Sequence, residues 1–240
     1  MKLLYIYHSC YAIEGDGYTI LIDFYKDQTE ANGKFMVRDR ILNRPGALYV
    51  LSTHGHADHF NPEILTWRDN RPDIHYIFSK DILNDGKASP AAAVFLDKGE
   101  AYQDDLLKIQ AFGSTDLGVS FYMEVDGKRL FHAGDLNNWH WNEESTPQES
   151  AEYEDFFLNE LSFFAKHVST LDLAMFPVDP RLGKDFMRGA EQFIDYIKVK
   201  LFAPMHFGLK YQEANAFAAY AHSKGVRFTA WTKPGESIEF

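Results

Sequence analysis

The sequence predicts a single α/β domain spanning residues 1–240, a sandwich with sheets inside and helices outside. Three observations predict this class. Short apolar runs alternate with loops through the first half, as strands do. In the second half, helical patterns alternate with apolar runs. Apolar residues make up 45% of the 240 residues, which is enough to bury a core.

The first half is predicted to consist mostly of strands. A turn at 14–18 (EGDGY) separates two of them, and Asp126-Gly127 joins the strands of a hairpin, EVDGKRLFHAGD. A short helical pattern covers residues 35–43, where apolar side chains stand among charges. The predicted strands are KLLYIY, YTILID, ALYVLST, IHYIF, LLKIQAF and VSFYMEV.

The second half is predicted to be richer in helix. The spacing of apolar residues predicts helices over 149–168, 184–199 and 211–224. Between them, LDLAMFP and KLFAPMH have the composition of buried strands, and VRFTA and residues 236–239 are predicted as short final strands. No linker, repeat or low-complexity segment divides the chain, so we expect one domain.

Composition excludes several classes of protein. The formal net charge of -11 disfavours a dedicated nucleic-acid-binding protein, whose affinity comes mostly from neutralising phosphates. Cys10 is the only cysteine, so the chain is not a disulfide-stabilised secreted scaffold. The apolar N-terminal run is broken at His8 without a signal cleavage site nearby, and no run approaches a membrane span. We expect a cytoplasmic protein with no membrane partner.

The stretch THGHADH, residues 53–59, contains three histidines and an aspartate within six positions. In extended backbone, positions i and i+2 point the same way, so His54 and His56 could bind one ion. Asp58 and His59 could face a second ion. Imidazole and carboxylate suit zinc, manganese or iron. A solvated polar loop is the alternative, but four such side chains directly after a predicted strand favour a metal site.

This stretch resembles the HxHxDH signature of the metallo-β-lactamase superfamily. FHAGD (131–135) resembles that family's Gly-Asp motif, which implies that Asp135 bridges two metals. APMHFG (203–208) resembles its final strand, which ends in a metal-binding histidine, here His206. Taken alone, Asp135 could be a turn residue and His206 a core histidine. The resemblance implies a four-layer αββα sandwich with two divalent ions at one edge, zinc before manganese or iron.

The N-terminal segment extends the resemblance. YHSCYAI and YTILIDF are similar to the opening of the branch that contains ascorbate 6-phosphate lactonase, where a Gly-His-Ala-Cys-like turn precedes a hairpin ending in an aspartate. His8, Cys10 and Asp23 hold those places. His8 either lines the site and contacts substrate or caps the first hairpin. Cys10 is expected to be a small buried residue, and Asp23 to support the ligands rather than sit in a turn.

One histidine of the family pattern is missing. The family usually carries another between the first motif and the Gly-Asp motif, but the corresponding region, QAFGSTDLGVSF, contains none. Ser114 and Asp116 are the nearest donors, and a neutral serine is a poor ligand. Either Asp116 completes the shell of the first metal, or Asp116 is a turn residue and the first site is weak.

Two segments could contact substrate. NNWHW (137–141) follows Asp135 and could form a substrate wall that includes His140, or a lid that packs on the core. Arg181, in FPVDPRLG, follows another predicted strand and could meet an anionic substrate, or it is an ordinary exposed loop arginine. The resemblance implies a hydroxide shared by the metals, with Asp58 orienting it and taking up a proton.

We therefore expect a metal-dependent hydrolase of a small ester, lactone or phosphate-bearing substrate, and the sequence leaves a homo-oligomer open. No G-x-S-x-G or P-loop motif indicates another chemistry. A nuclease or phosphodiesterase of the same superfamily is the first alternative, which the acidic charge disfavours. A redox di-iron protein is disfavoured by Ala57, where such members carry glutamate, and by the lack of room for a flavin domain. The missing histidine keeps a non-catalytic metal-binding module as the last alternative.

Overall fold

A computed structural model describes all 240 residues of the chain. The chain forms two compact units. The first comprises Met1–Asp97 together with Trp231–Phe240, and the second comprises Lys98–Ala230. Each unit contains one seven-stranded sheet. The mixed α/β class is confirmed, whereas the assignment of one domain stays a prediction. No helix has the length and apolar character needed to cross a membrane.

The sheet of the first unit is antiparallel on one side and parallel on the other. Its strands are β1 (Lys2–Tyr7), β2 (Cys10–Gly15), β3 (Tyr18–Ile22), β4 (Ala47–Ser52), β5 (His75–Ser79), β6 (Val94–Leu96) and β14 (Ser237–Glu239). They lie in the order β14-β1-β2-β3-β4-β5-β6. Pairing is antiparallel from β14 to β3 and parallel from β3 to β6. The carboxyl ends of β3, β4 and β5 therefore share one edge of the sheet.

Three short helical segments cover one face of this sheet. They are a π-helical turn (Met36–Ile41), a 3-10 helix (Pro62–Asp69) and helix α1 (Lys80–Asn84). Asn61 caps the 3-10 helix by accepting a hydrogen bond from the backbone N–H of Glu63 at 2.9 Å. Their apolar side chains join alternate residues of the strands in one buried core that includes Ile41, Trp67, Ile82, Leu21, Val50 and Phe78.

The sheet of the second unit has the same mixed character. Its strands are β7 (Ala101–Gln103), β8 (Lys108–Phe112), β9 (Ser120–Val125), β10 (Lys128–His132), β11 (Thr170–Pro177), β12 (Lys198–Met205) and β13 (Arg227–Phe228), in the order β13-β12-β11-β10-β9-β8-β7. The predicted hairpin at Asp126-Gly127 joins β9 to β10. The pairs β10–β11, β11–β12 and β12–β13 are parallel, so β10, β11 and β12 end at a common edge.

Helices α2 (Pro147–His167), α3 (Arg188–Tyr196), α4 (Tyr211–Ala216) and α5 (Ala218–Ser223) belong to the second unit. Thr146 and Glu149 form a capping box at the start of α2. A cluster of phenylalanine rings joins α2 and α3 to the sheet: Phe131 lies 4.4 Å from Phe164, and Phe176 lies 4.4 Å from Phe193, between ring centroids. Offset aromatic packing of this kind stabilises a core beyond simple burial.

The predicted helix over 184–199 is wrong at both ends. Its first residues lie in a 3-10 segment, Pro180–Asp185, where Gly183 has a non-helical backbone with φ 78°. Its last residues, Lys198 and Val199, belong to β12, because Ile197 is already extended. The predicted helix over 211–224 is divided into α4 and α5 at Phe217. The strands β6 (VFL) and β7 (AYQ) have only three residues each, which is too short for a sequence pattern to indicate them.

Candidate metal centre

The HxHxDH loop begins where β4 ends, and parallel pairing with β3 places Asp23 beside it. The Asp23 carboxylate accepts hydrogen bonds from the backbone N–H and the hydroxyl of Thr53, both at 2.7 Å. It also accepts one from Nδ1 of His59 at 2.7 Å. Asp23 is fully buried and has a left-handed backbone (φ 54°), which is uncommon outside glycine. Asp23 therefore holds both the start of the loop and the ring of His59.

These hydrogen bonds fix which ring nitrogen carries the proton. The Thr53 hydroxyl donates to Asp23, so it accepts from Nδ1 of His54, which lies 3.1 Å away. Nδ1 of His59 likewise donates to a carboxylate. In both rings the lone pair is then on Nε2, the nitrogen that can bind a metal. The ring of His54 lies 4.1 Å from that of His59 and 4.7 Å from that of His56, between centroids.

A pair of charged residues holds Gly55, which lies between two of the histidines. Asp81, on the helix that follows β5, accepts a hydrogen bond from the backbone N–H of Gly55 at 2.7 Å. Lys87 donates to the backbone carbonyl of Gly55 at 2.7 Å. A Cβ at this position would lie 2.8 Å from the Lys87 Nζ, so a larger residue would displace this contact. The two bonds fix the peptides on both sides of Gly55 and hence the backbone of His54 and His56.

His8 and Asp58 extend the cluster in the first unit. His8 lies in the turn between β1 and β2, has φ 59°, and its backbone N–H donates to the Tyr5 hydroxyl at 3.0 Å. Its Nε2 lies 3.2 Å from Oδ2 of Asp58, and Nε2 of His59 lies 3.8 Å from the same oxygen. The candidate metal ligands of the first unit, which we call the first-unit donors, are His54, His56, Asp58 and His59.

Cys10 has no place among these donors. The residue is fully buried in β2. Burial, reinforced by the negative charge of Asp23, raises the pKa of the thiol well above its ordinary value. A protonated, inaccessible thiol is neither a nucleophile nor a metal ligand. Cys10 acts as a small core residue.

In the second unit, two predicted ligands meet at the common edge of β10 and β12. Asp135 follows β10 after a tight turn at Gly134 (φ 54°), and His206 follows β12 with φ 64°. Nε2 of His206 lies 3.3 Å from Oδ1 of Asp135, and both side chains are buried. Left-handed backbone at a histidine costs free energy, and such conformations concentrate at functional sites.

Asp179 fixes the orientation of the His206 ring through its nitrogen Nδ1. It follows β11, which lies between β10 and β12, and Nδ1 of His206 donates to its carboxylate at 2.9 Å. The Arg181 side chain donates to the same carboxylate through Nε at 2.8 Å and through Nη2 at 2.6 Å. Burial alone would raise the pKa of Asp179, but hydrogen bonds from His206 and Arg181 outweigh it and lower the pKa to about 2. The carboxylate is therefore ionised at neutral pH.

Asp116 lies beside Asp135 in the second unit. The hydroxyl of Thr115 donates to the carbonyl of Asn137 at 2.6 Å and accepts from its N–H at 2.9 Å, which ties the loop before β9 to the loop after β10. Carboxylate oxygens of Asp116 and Asp135 come within 4.8 Å of one another. Asp116 is exposed, and its N–H donates to Ser114 at 3.3 Å. The second-unit donors are Asp116, Asp135 and His206.

A cavity of about 310 Å³ in the second unit is lined by Asp116, Asp135 and Arg181 together with aromatic side chains. The side chain of Arg181 is 57% exposed even though it is bonded to Asp179. The predicted contact between Arg181 and an anionic substrate is thus compatible with its position, and it stays a prediction.

His140 does not line this cavity. Its ring is fully buried, Nε2 donates to the carbonyl of Asp185 at 3.2 Å, and Nδ1 accepts from the N–H of Asn142 at 3.1 Å. Burial lowers its pKa from the ordinary value. Because both ring nitrogens bond within the protein, His140 holds the NNWHW loop, as expected for the alternative in which this loop packs on the core. A contact between His140 and substrate stays a prediction.

The donor set fits a divalent transition metal. It combines imidazole nitrogens with carboxylate oxygens and has no thiol, as zinc, manganese and iron sites do. Metal-ligating histidines almost always donate their other ring N–H to a carboxylate or another acceptor, and Asp23–His59 and Asp179–His206 both have this arrangement. No sequence motif singles out Asp179, which comes two residues after a buried strand. No pattern in the sequence indicates that Asp81 and Lys87 contact Gly55.

Comparison with known proteins supports this interpretation. The family model of the beta-lactamase superfamily domain matches residues 2–151. A UPF0173 metal-dependent hydrolase of Symbiobacterium thermophilum is 24% identical over 248 residues, covering 99% of both chains. The metallo hydrolase Igni18 of Ignicoccus hospitalis has a similar fold: TM-score 0.68 at 20% identity, covering 100% of this chain and 98% of that one.

A further solved structure shares the fold but carries a different chemistry. CmlA, a diiron beta-hydroxylase of Streptomyces venezuelae, aligns with a TM-score of 0.67 at 14% identity, covering 100% of this chain and 54% of its own. Similarity at this level of identity shows the fold alone. The similarity to CmlA therefore gives no reason to assign an iron centre or hydroxylase activity to this chain.

Proposed function

This chain belongs to the beta-lactamase superfamily and is a metal-dependent hydrolase, and we propose that it hydrolyses a small anionic ester, lactone or phosphate-bearing substrate at a centre of two divalent ions. The observation that carries the proposal is the pair of buried carboxylates, Asp23 and Asp179, that hold the candidate ligands His59 and His206. A carboxylate behind a histidine orients the ring and increases its basicity toward a metal.

We propose that the first-unit and second-unit donors together hold both ions. His54 and His56, with Asp116, would bind the first ion. Asp58, His59 and His206 would bind the second, and Asp135 would bridge the two. Zinc is the first expectation for this donor set, and manganese or iron would also be accommodated.

Two such ions, when bound, acidify a water molecule and stabilise the negative charge that develops on the attacked group. The chain's own residues then have distinct tasks. Asp58 would orient the water and accept its proton on Oδ2. His8, whose Nε2 lies 3.2 Å from that oxygen, would pass the proton toward the leaving group. Arg181 would bind the anionic part of the substrate, because its planar guanidinium pairs well with carboxylate or phosphate.

A substrate panel tests this function. The chain is loaded with zinc or manganese and assayed against carboxyl esters, lactones, phosphomonoesters and phosphodiesters. We expect turnover that requires metal and falls by at least about a hundredfold in Asp58→Asn. If the chain binds two ions but hydrolyses no class of substrate in the panel, it is a metal-binding module and not an enzyme. Turnover confined to phosphodiesters, with salt-sensitive RNA binding, would favour the nuclease alternative.

A further inference from the structure

The cavity that contains Arg181 also has an aromatic wall, formed by Trp139, Trp141 and Tyr153. The two indole rings stack with their centroids 6.3 Å apart and their planes 15° apart. Nε1 of Trp139 donates to the backbone carbonyl of Asp135 at 2.8 Å, which ties the wall to a second-unit donor. Tyr153, on α2, is 44% exposed. The wall is therefore fixed beside a candidate ligand and is partly open to solvent.

Trp141 is held in a strained conformation. Its φ is 42°, in the left-handed region that bulky residues rarely adopt. Its carbonyl accepts hydrogen bonds from the N–H groups of Glu144 and Ser145, both at 2.8 Å. On its N-terminal side, the buried ring of His140 anchors the loop to Asp185. The surroundings thus impose an unfavourable backbone conformation on Trp141, and strained residues of this kind cluster at functional sites.

The composition of the cavity restricts what it can bind. Its volume of about 310 Å³ lies at the small end of the range for small-molecule sites. Arg181 supplies a positive group that lines the same cavity as the aromatic wall. Flat aromatic side chains bind flat groups best, because offset stacking needs parallel faces. The cavity can therefore bind a charged group next to a group that stacks on the aromatic side chains.

We propose that the substrate carries a flat, π-bearing group next to its anionic group, and that Trp141 and Tyr153 bind the flat group while Arg181 binds the anion. This inference rests on the proposed function, since it names the class of substrate for the same site. It disfavours substrates whose only group beside the anion is a flexible saturated chain.

Benzoate and cyclohexanecarboxylate test the inference because they have the same charge and nearly the same size but differ in flatness. Binding to the zinc-loaded chain is measured by titration calorimetry. We expect benzoate to bind about fivefold more tightly, the ratio that one stacking interaction supplies. In Trp141→Leu and in Tyr153→Leu the ratio should fall below about twofold. In Arg181→Met both acids should bind more weakly, while the ratio of their affinities should stay the same.

Tyr196→Leu is the matched control, since Tyr196 is another exposed tyrosine of the second unit (51%) and does not line the cavity. Thermal unfolding checks that each variant folds, and Tyr153→Leu changes only an exposed side chain. Equal affinities in the unaltered chain, no measurable binding of either acid, or a ratio that survives both leucine variants would overturn the inference. Hydrolysis of the ester panel without a benzoate preference would overturn this inference and leave the proposed function standing. A benzoate preference without any hydrolysis would overturn the proposed function and show that the cavity only binds flat anions.

Discussion

Nδ1 of His206 donates a hydrogen bond to the Asp179 carboxylate across 2.9 Å, and the two side chains are 3% and 1% exposed. A buried ionised carboxylate is costly unless it is fully hydrogen-bonded, and here Arg181 completes its bonding. The arrangement turns Nε2 of His206 toward Asp135. A contact between two loop residues that follow neighbouring strands thus orients a candidate metal ligand.

Replacing Asp179 with asparagine should weaken metal binding by about 10- to 100-fold, because His206 loses the carboxylate that orients and polarises it. Competition with a chromophoric chelator measures the dissociation constant. Asp172→Asn is the control, since Asp172 is also a buried carboxylate, paired with Lys200 at 2.7 Å, but lies near the start of β11 while Asp179 follows the end of that strand. Equal metal affinity in the Asp179 variant and in this control would show that the contact does not act on the ligand.

Removing the contacts to Gly55 should loosen the first metal. Lys87→Met and Asp81→Ala each free one peptide next to Gly55, so we expect about a tenfold loss of affinity for one ion of the two. Lys87→Arg and Asp81→Asn keep a donor and an acceptor in place and should retain most of that affinity. A cobalt-substituted protein reports the ligand geometry through its visible absorption. Unchanged spectra in Lys87→Met and Asp81→Ala would refute the positioning role.

Asp116→Ala should lower the content of one metal ion and reduce turnover if Asp116 stands in for the missing histidine. Asp116→His should restore the content and shift preference toward zinc, because imidazole is the softer ligand. Metal titrations of the unaltered chain and the variants are compared side by side, with the exposed Asp105→Ala as control. If the titration curve of Asp116→Ala superimposes on that of the unaltered chain, Asp116 is only a turn residue.

The buried His140 predicts how stability depends on pH. Burial lowers its pKa in the folded chain, so the unfolded chain takes up the proton first as the pH falls. The contribution of neutral His140 to the free energy of unfolding is fully present above about pH 6.5 and is lost progressively below it. Urea unfolding between pH 8 and pH 5 should therefore show a shallower pH dependence in His140→Gln than in the unaltered chain. The control is His222→Gln, which removes an exposed histidine. If the free energy of unfolding depends on pH equally steeply in His140→Gln and in this control, the prediction is wrong.

The part of the site that could be predicted from sequence is the part encoded locally. A continuous apolar run predicts β4, and the ligands directly after it follow as a linear motif. Asp135 and His206 follow from motifs at the ends of β10 and β12. Parallel pairing then brings strand ends to one edge, which is a rule of topology and needs no knowledge of side-chain contacts.

The rest depends on contacts between residues far apart in sequence. Asp81 lies 26 residues from Gly55 and Lys87 lies 32, and nothing in their local sequence indicates a shared partner. His140 occurs in a loop whose composition suits either a substrate wall or a buried anchor, and only its two hydrogen bonds decide between them. Tertiary packing also overrides helical periodicity at Ile197, where the chain is already extended toward β12.

Anomalous diffraction from crystals of protein purified without added metal tests the central claim most directly, namely that the first-unit and second-unit donors hold two ions together. We predict two anomalous peaks about 3.5–4 Å apart, one ligated by His54 and His56 and the other by His59 and His206, with Asp135 between them. Absorption-edge scans identify the element. Peaks at other residues, or a distance of more than about 10 Å between His59 and His206 against ligand bonds near 2 Å, would contradict the claim.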